Sequence, residues 1–130
     1  MPDARQSRSI AAVIGLGGAS AVLLGAAGAH LLALDAGAAE LWRLALGFQF
    51  WHVLAFALAA LAAPNGPGRL TALWAFAIGI VCFCGSLYGL ALAAQPWLGV
   101  LTPFGGVALV VGWLALAASL AGRRLPYRTP

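Results

Sequence analysis

Six polar side chains interrupt the long apolar stretches of this sequence, at positions where they can act together. They are two histidines, one glutamine and three hydroxyl-bearing residues: His30, Gln49, His52, Ser86, Tyr88 and Thr102. An imidazole exchanges protons near neutral pH, and amide and hydroxyl groups both donate and accept hydrogen bonds. Polar groups within apolar surroundings usually find partners or mark a functional site. We therefore expect these six residues to form a ligand-binding cluster.

Other kinds of site fit these residues less well. A zinc site takes three or four ligands, and glutamine and serine are poor complements to two histidines. Two histidines can hold a haem iron, but His30 and His52 are expected at different depths. The apolar stretches contain no carboxylate, and the chain has no nucleophile–base pair and no Gly-rich phosphate loop. We therefore predict no metal, no cofactor, no catalytic residues and no enzyme activity.

The composition places these residues in a membrane protein. The chain has 130 residues, of which 63% are hydrophobic and 8% are charged, whereas soluble domains are about 25% charged. Seven basic and three acidic residues leave a net charge of +4. The arginines lie beside apolar segments without interleaved aromatic residues, which favours contact with anionic lipid headgroups and not with nucleic acid.

Four apolar runs predict four transmembrane helices. The runs cover about residues 10–34, 44–63, 71–94 and 103–121, close to the ~20 residues that a spanning helix needs. The first run is longer than the apolar core of a signal peptide, which favours a spanning helix over a cleaved signal. Thr102 is expected to cap the last helix, with Pro103 at its first position. Residues 35–43 then form a polar connection, and residues 1–9 and 122–130 form tails.

The short connections predict an all-α, up-down-up-down bundle of antiparallel helices. Six arginines fall on the side of both tails and the second connection, and only Arg43 falls on the other side. The positive-inside rule therefore puts both termini in the cytoplasm. Trp42 and Trp97 are expected at the outer interface and Trp74 at the inner one. At 1.5 Å per residue, His52 and Ser86 each lie about 12 Å below the outer surface.

Small residues in the runs predict where the helices approach each other closely. The expected packing positions are Ala21, Gly25, Ala29, Gly85, Gly89, Gly105, Gly106 and Gly112. They fit contacts inside the bundle and a face of a dimer equally well. Cys82 and Cys84 are two residues apart on a helix, so they point to different faces and are expected to be packing residues.

The polar residues recur in four blocks whose order and spacing resemble a known family. The blocks are Gly25-Ala26-Ala27-Gly28-Ala29-His30, Phe48-Gln49-Phe50-Trp51-His52, Gly85-Ser86-Leu87-Tyr88 and Leu101-Thr102-Pro103-Phe104-Gly105-Gly106. They resemble the domain-of-unknown-function 423 family, the YgdD-type small inner-membrane proteins. The resemblance covers residues 10–121 and implies a four-helix protein of the bacterial inner membrane. Phe48 departs from the family, which usually has a tyrosine there, so this chain lacks one hydroxyl of the cluster.

Three functions remain open at this point. The first is a binding or accessory protein that holds a lipid, a quinone-like molecule or a small polar ligand, or joins a larger membrane complex. The second is a small transporter or channel, formed as a homo-oligomer. The third is a structural membrane protein in which the polar residues only set the helix packing. One-sided polarity beside small-residue faces favours the first.

Overall fold

Four helices of similar length make up the protein in a computed structural model, which describes residues 3–93 and 95–122. Their elements are α1 (Ala4–His30), α2 (Ala36–Ala62), α3 (Pro67–Gly79), a π-helical turn (Ile80–Cys84), α4 (Gly85–Ala93) and α5 (Pro96–Ala121). The α3 helix, the π turn and α4 are continuous and form the third span, Pro67–Ala93. Each span is long and apolar enough to cross a bilayer. The predicted all-α, four-span fold is confirmed.

The helices alternate in direction, so the bundle has two distinct ends. We call the end with residues 3–9, 63–66 and 122 the tail end, and the end with residues 31–35 and 95 the loop end. At the tail end, the start of α3 and the last turn of α5 line one cleft together. The predicted C-terminal tail lies outside the described residues beyond Gly122.

Two helices begin earlier than predicted because acidic residues cap them. The Oδ1 atom of Asp35 accepts a hydrogen bond from the backbone N–H of Ala38 at 2.8 Å, and α2 starts at Ala36. Most of the expected polar connection, residues 35–43, is therefore helical. Asp3 similarly precedes α1, so the polar segment 4–9 belongs to that helix. A carboxylate at such a position satisfies a free N–H group of the first turn.

The early start of α2 also corrects the position expected for Trp42. This residue lies within the helix and is buried, where it packs against Tyr88 with ring centroids 4.7 Å apart. It does not form part of an interfacial belt. By contrast, Trp74 and Trp97 are exposed on the outside of the bundle, as residues at a membrane interface would be.

The last helix begins at Pro96, and the predicted start at Pro103 is wrong. Pro96 occupies the first helical position, where its missing N–H costs no hydrogen bond. Pro103 lies inside α5 and leaves the helix one backbone hydrogen bond short. Thr102 does not cap the helix; its hydroxyl oxygen lies 3.1 Å from the carbonyl oxygen of Leu98, one turn earlier in the same helix.

The core is formed by α2, the third span and α5, and the last two approach each other at glycines. A methyl group on Gly105 would overlap the backbone of Phe83, and one on Gly112 would lie 2.6 Å from the ring of Phe76. Gly79, which the sequence pattern did not single out, lies equally close to Leu109. Glycine is required at positions 79 and 105 because the facing atoms include backbone, which cannot rotate away.

Most of the expected packing positions do pack. Ala21 is fully buried, Gly89 lies against Leu98, and Gly25 and Gly106 make ordinary contacts. Two do not pack, because Ala29 and Gly85 are exposed. In an α-helix a spacing of four drifts by about 40° per step, so position 29 leaves the face of Ala21 while Gly28 stays on it. Gly85 is exposed, and no atom lies within 4 Å of a methyl group added there, although its neighbours Cys84, Ser86 and Leu87 are buried.

The first helix is attached to the bundle by one side only. Its main partner is α2, which it meets at Gly17, Ala21 and Gly28. Of the most apolar 18 residues in each span, 6% are buried in α1 and 44% in the third span. Because α1 does not close onto the third span, a groove runs between them.

Candidate functional site

Gln49 joins three helices on the side of α2 that faces α1. Its side chain is buried, and its Nε2 atom donates to the carbonyl oxygen of Gly17 and to the hydroxyl of Ser20, both at 2.9 Å. A carbonyl can only accept, so the amide nitrogen must face α1. The Oε1 atom of Gln49 points the other way and accepts a hydrogen bond from the Tyr88 hydroxyl at 2.8 Å.

Trp42 supports this arrangement from the loop end of α2. Its indole N–H donates to the carbonyl oxygen of Leu24 at 2.9 Å, which ties α2 to α1. Its ring packs edge-on against Tyr88, at an angle of 65° between the two planes. The ring also fills the space beside Gly28, where a methyl group would overlap the indole. Trp42 therefore holds the Tyr88 ring in place and fixes the distance between α1 and α2.

These polar groups lie on the wall of the groove between α1 and the third span. The groove has a volume of about 570 Å³. Its polar lining comes from Ser20, Gln49 and Tyr88, and the rest is aliphatic or small: Ala12, Val13, Leu16, Gly17, Leu24, Val53, Ala77, Ile80, Val81, Cys84 and Gly85. The π-helical turn forms part of this wall, and such turns are frequent at functional sites.

The hydrogen-bond roles in this group leave a specific capacity free. Both amide hydrogens of Gln49 are used, the Tyr88 hydroxyl donates to Gln49, and the Ser20 hydroxyl donates to the Gly17 carbonyl at 3.2 Å. Each of these donors is therefore occupied. The Oε1 atom of Gln49 and the phenolic oxygen of Tyr88 each keep an unused lone pair. The group can thus accept a hydrogen bond from a ligand and has no free donor to offer.

His52 lies three residues after Gln49 but faces α5 in a closed environment. Its Nδ1 atom lies 2.6 Å from the carbonyl oxygen of Phe48, and its Nε2 atom accepts the indole N–H of Trp113 at 3.2 Å. This pattern fits the neutral imidazole with its proton on Nδ1. The ring is buried, stacks on Phe48 and contacts Phe76. Both nitrogens have partners, so the side chain is arranged for packing.

Ser86 and Thr102 form a third, separate pair between α4 and α5. Their hydroxyl oxygens lie 2.7 Å apart, and each also lies near a backbone carbonyl of its own span, at 2.9 Å from Phe83 for Ser86 and at 3.1 Å from Leu98 for Thr102. Ser86 is 1% exposed. Each hydroxyl has one hydrogen, so one of them donates to the other and the second donates to its backbone carbonyl. The pair thus connects two spans without lining the groove.

The six residues predicted to cluster therefore separate into distinct groups. Gln49 and Tyr88 meet in the groove, His52 faces α5, Ser86 pairs with Thr102, and His30 lies exposed at the end of α1. The sequence prediction omitted Ser20, Trp42 and Trp113. Ser20 was recognisable as the single hydroxyl of the first apolar run. The two tryptophans gave no comparable signal because their indole N–H groups also suit an interface.

The potential metal ligands and the two cysteines lie as follows in the described part of the chain. Within residues 3–93 and 95–122, no three His, Cys, Asp or Glu side chains come together in the way that a metal site requires. Cys82 and Cys84 are both free thiols, half-buried and buried respectively, in the π-helical turn.

Comparison with known proteins places the chain among bacterial membrane proteins. It is 39% identical over 80 residues to a UPF0382 membrane protein of Staphylococcus epidermidis, a match that covers 59% of this chain and 64% of that protein. It is 35% identical over 83 residues to the UPF0382 membrane protein YwdK of Bacillus subtilis, covering 62% of this chain and 68% of the relative.

A Haemophilus influenzae UPF0382 membrane protein is 39% identical over 74 residues, covering 55% of this chain and 59% of the relative. No solved structure matches the chain. The family described as "Protein of unknown function (DUF423)" matches residues 24–106, a range that includes Gln49, His52, Tyr88 and Thr102. With more than half of its length matched, this chain belongs to the DUF423 family and is an integral membrane protein.

Proposed function

We propose that this protein binds a hydroxyl-bearing lipid in the groove between α1 and the third span. The observation that carries the proposal is the set of Ser20, Gln49 and Tyr88 on the wall of an otherwise apolar groove. Because their donors are occupied, the oxygens of Gln49 and Tyr88 select a ligand that donates a hydrogen bond. A lipid alcohol, a monoacylglycerol or a quinol has such a donor, whereas a quinone or an ester does not.

The groove suits the rest of such a molecule. Its lining is aliphatic on both sides, with Ala12, Val13 and Leu16 from α1 and Ala77, Ile80 and Val81 from the third span. An acyl or isoprenoid chain therefore finds apolar contacts on both sides. The groove opens laterally because α1 packs mainly on α2, so a lipid can enter from the bilayer without crossing the protein.

The orientation in the bacterial inner membrane is part of this proposal. Arg5, Arg8 and Arg69 belong to the tail end, while Arg43 at the loop end forms an ion pair with Glu40. Because cytoplasmic segments carry an excess of basic residues, this distribution supports a cytoplasmic tail end.

Single-cysteine variants of a protein without Cys82 and Cys84 test this orientation in intact cells. Ala33 lies in the connection at the loop end, Asn65 lies in the connection at the tail end, and both are exposed. An impermeant maleimide should label Ala33→Cys and leave Asn65→Cys unlabelled. The reverse pattern contradicts the orientation.

Ligand preference tests the binding function directly. Purified protein in detergent is titrated with oleyl alcohol and with methyl oleate, which has a similar chain but no hydroxyl donor, and bound lipid is counted by native mass spectrometry. A single hydrogen bond contributes about 1 kcal/mol, so oleyl alcohol should bind about fivefold more tightly. Gln49→Leu should remove this preference.

The matched control removes a hydroxyl elsewhere. Tyr88→Phe takes one hydroxyl from the groove, and Ser86→Ala takes one from the separate pair with Thr102. Tyr88→Phe should reduce the preference for the alcohol, and Ser86→Ala should leave it unchanged. Equal binding of both lipids to the wild-type protein, or an unchanged preference in the folded Gln49→Leu variant, would rule the proposal out.

A further inference from the structure

A second cleft lies at the tail end, between the start of α3 and the last turn of α5. It has a volume of about 310 Å³ and shares no lining residue with the groove. Its walls come from the connection between α2 and α3 and from the end of α5: Pro64, Asn65, Gly66, Pro67, Gly68, Arg69, Ala118, Ser119 and Gly122. A cationic side chain and a helix N-terminus thus meet in one place.

Arg69 is a buried charge without an anionic partner among the described residues. It is 7% exposed, and its guanidinium donates to two neutral oxygens, the Asn65 Oδ1 atom at 3.1 Å and the Ala60 carbonyl at 2.9 Å. The described acidic residue at this end, Asp3, caps α1 instead. From residue 41 to the end of the sequence there is no Asp or Glu. Burying a charge without a counter-ion is costly, so an anion from outside the chain would stabilise it.

Two buried side-chain atoms lack hydrogen-bond partners among the described residues, and both belong to residues that line this cleft. They are the Nε atom of Arg69 and the hydroxyl oxygen of Ser119. Both groups can donate a hydrogen bond. Because buried polar atoms are nearly always satisfied, two free donors in one cleft favour binding of a ligand that accepts hydrogen bonds.

The backbone of α3 adds a third favourable element. Gly66 precedes the helix and provides no side-chain cap, and Pro67 has no N–H, so the N–H groups of Gly68 and Arg69 begin the helix without intrahelical partners. A helix N-terminus carries a partial positive charge and favours anions. Gly68 also packs so closely on Ser119 that a methyl group there would overlap its hydroxyl. Any larger residue at position 68 would therefore disturb the cleft.

We infer that this cleft is a binding site for a phosphate group, held by the Arg69 guanidinium, the Ser119 hydroxyl and the first turn of α3. A phosphate presents several acceptor oxygens and a negative charge, which match the donors and the uncompensated arginine. The group can belong to a phospholipid headgroup or to a free phosphate ion. In sequence, Arg123 and Arg124 directly follow Gly122, the last described residue of the cleft.

Two measurements on the full-length protein in neutral detergent test this inference and separate the two sources. Native mass spectrometry compares binding of dioleoylphosphatidylglycerol with that of dioleoylglycerol, which has the same chains and no phosphate. Thermal unfolding compares sodium phosphate with sodium chloride at equal ionic strength. A preference of about tenfold for the phospholipid assigns the site to a headgroup. A rise in the unfolding temperature with phosphate assigns it to the free ion.

Substitutions of cleft residues test whether the response to phosphate or phospholipid arises in this cleft. Arg69→Gln and Ser119→Ala should each weaken the response, and Arg69→Lys should retain most of it because the charge remains. Arg43→Gln is the matched control, since Arg43 is exposed at the opposite end. The inference would be overturned if neither measurement showed a preference for phosphate. It would also be overturned if Arg69→Gln and Ser119→Ala responded as strongly as the wild-type protein. Gln49→Leu should not affect phosphate binding, so the test of this cleft is independent of the test of the groove.

Discussion

Two neighbouring polar residues of α2 lie in different surroundings on opposite sides of the helix. Gln49 and His52 are three positions apart, yet one faces α1 and the other faces α5. His52 lies among aromatic rings with both nitrogens satisfied. Gln49 lies on the wall of an open groove with an acceptor to spare. In this bundle a polar residue is structural where helices close on each other and available where they do not.

Glycine contacts also differ between these two regions of the bundle. Where the third span meets α5, a methyl group added at Gly79 or Gly105 would meet backbone as well as side-chain atoms. On the α1 side, the facing atoms belong mostly to side chains such as those of Val53 and Trp42. Close backbone approach leaves no room for a ligand, whereas a side-chain contact can adjust. Four predictions test this contrast, beginning with the largest expected effect.

Added methyl groups should show which side is rigid. Gly105→Ala places a methyl group against the backbone of Phe83, so we expect a destabilisation of about 3 kcal/mol. Gly17→Ala places one 2.8 Å from a methyl of Val53, which can rotate, so we expect about 1 kcal/mol. Thermal unfolding in detergent measures both. Gly85→Ala is the control, because no atom lies within 4 Å of the added group and the helix is slightly stabilised.

Truncation of the two polar residues should separate stability from binding. His52→Ala removes the ring contacts with Phe48 and Phe76 and leaves the Trp113 indole without its acceptor, so we expect a loss of about 2–3 kcal/mol. Gln49→Ala should cost about 1–2 kcal/mol because its partners lie beside the groove. Denaturant titration followed by circular dichroism gives both values. A His52→Ala variant as stable as the wild type would contradict the closed-side assignment.

Loss of the Trp42 hydrogen bond should loosen α1 alone. Trp42→Phe removes the bond to the Leu24 carbonyl at a cost of about 1 kcal/mol and keeps most of the ring contact with Tyr88. Hydrogen–deuterium exchange should then become faster in residues 17–30 and stay unchanged in α5. Equal acceleration in both helices would show that α1 is not an independently attached element.

Removal of single hydroxyls should have the smallest effects on stability. Tyr88→Phe and Ser86→Ala each delete one interhelical hydrogen bond, for which we expect about 0.6 kcal/mol in a membrane protein. Their unfolding temperatures should therefore be nearly equal, while only Tyr88→Phe changes lipid binding. A much larger loss for Tyr88→Phe would mean that its hydroxyl mainly holds the fold.

Local properties of the chain were predictable from its residues. The apolar runs require four helices because a helix satisfies its backbone groups within lipid, and this holds without knowledge of any contact. The blocks around His30, Gln49, Tyr88 and Thr102 were enough to indicate the family. The helix starts were less accurate, since Asp35 and Pro96 act as start signals inside segments that have the composition of connections.

The grouping of the polar residues was decided by the tertiary structure alone. Depth along a span follows from counting residues, so the sequence placed Gln49, His52 and Ser86 at similar levels. Depth does not determine which neighbour a side chain meets, because that depends on the rotation and separation of whole helices. The cleft around Arg69 has the same origin, since it needs the end of α5 against the start of α3. Composition and periodicity therefore determine a four-helix membrane protein, while the packing of spans that are distant in sequence decides which polar groups are closed and which remain accessible.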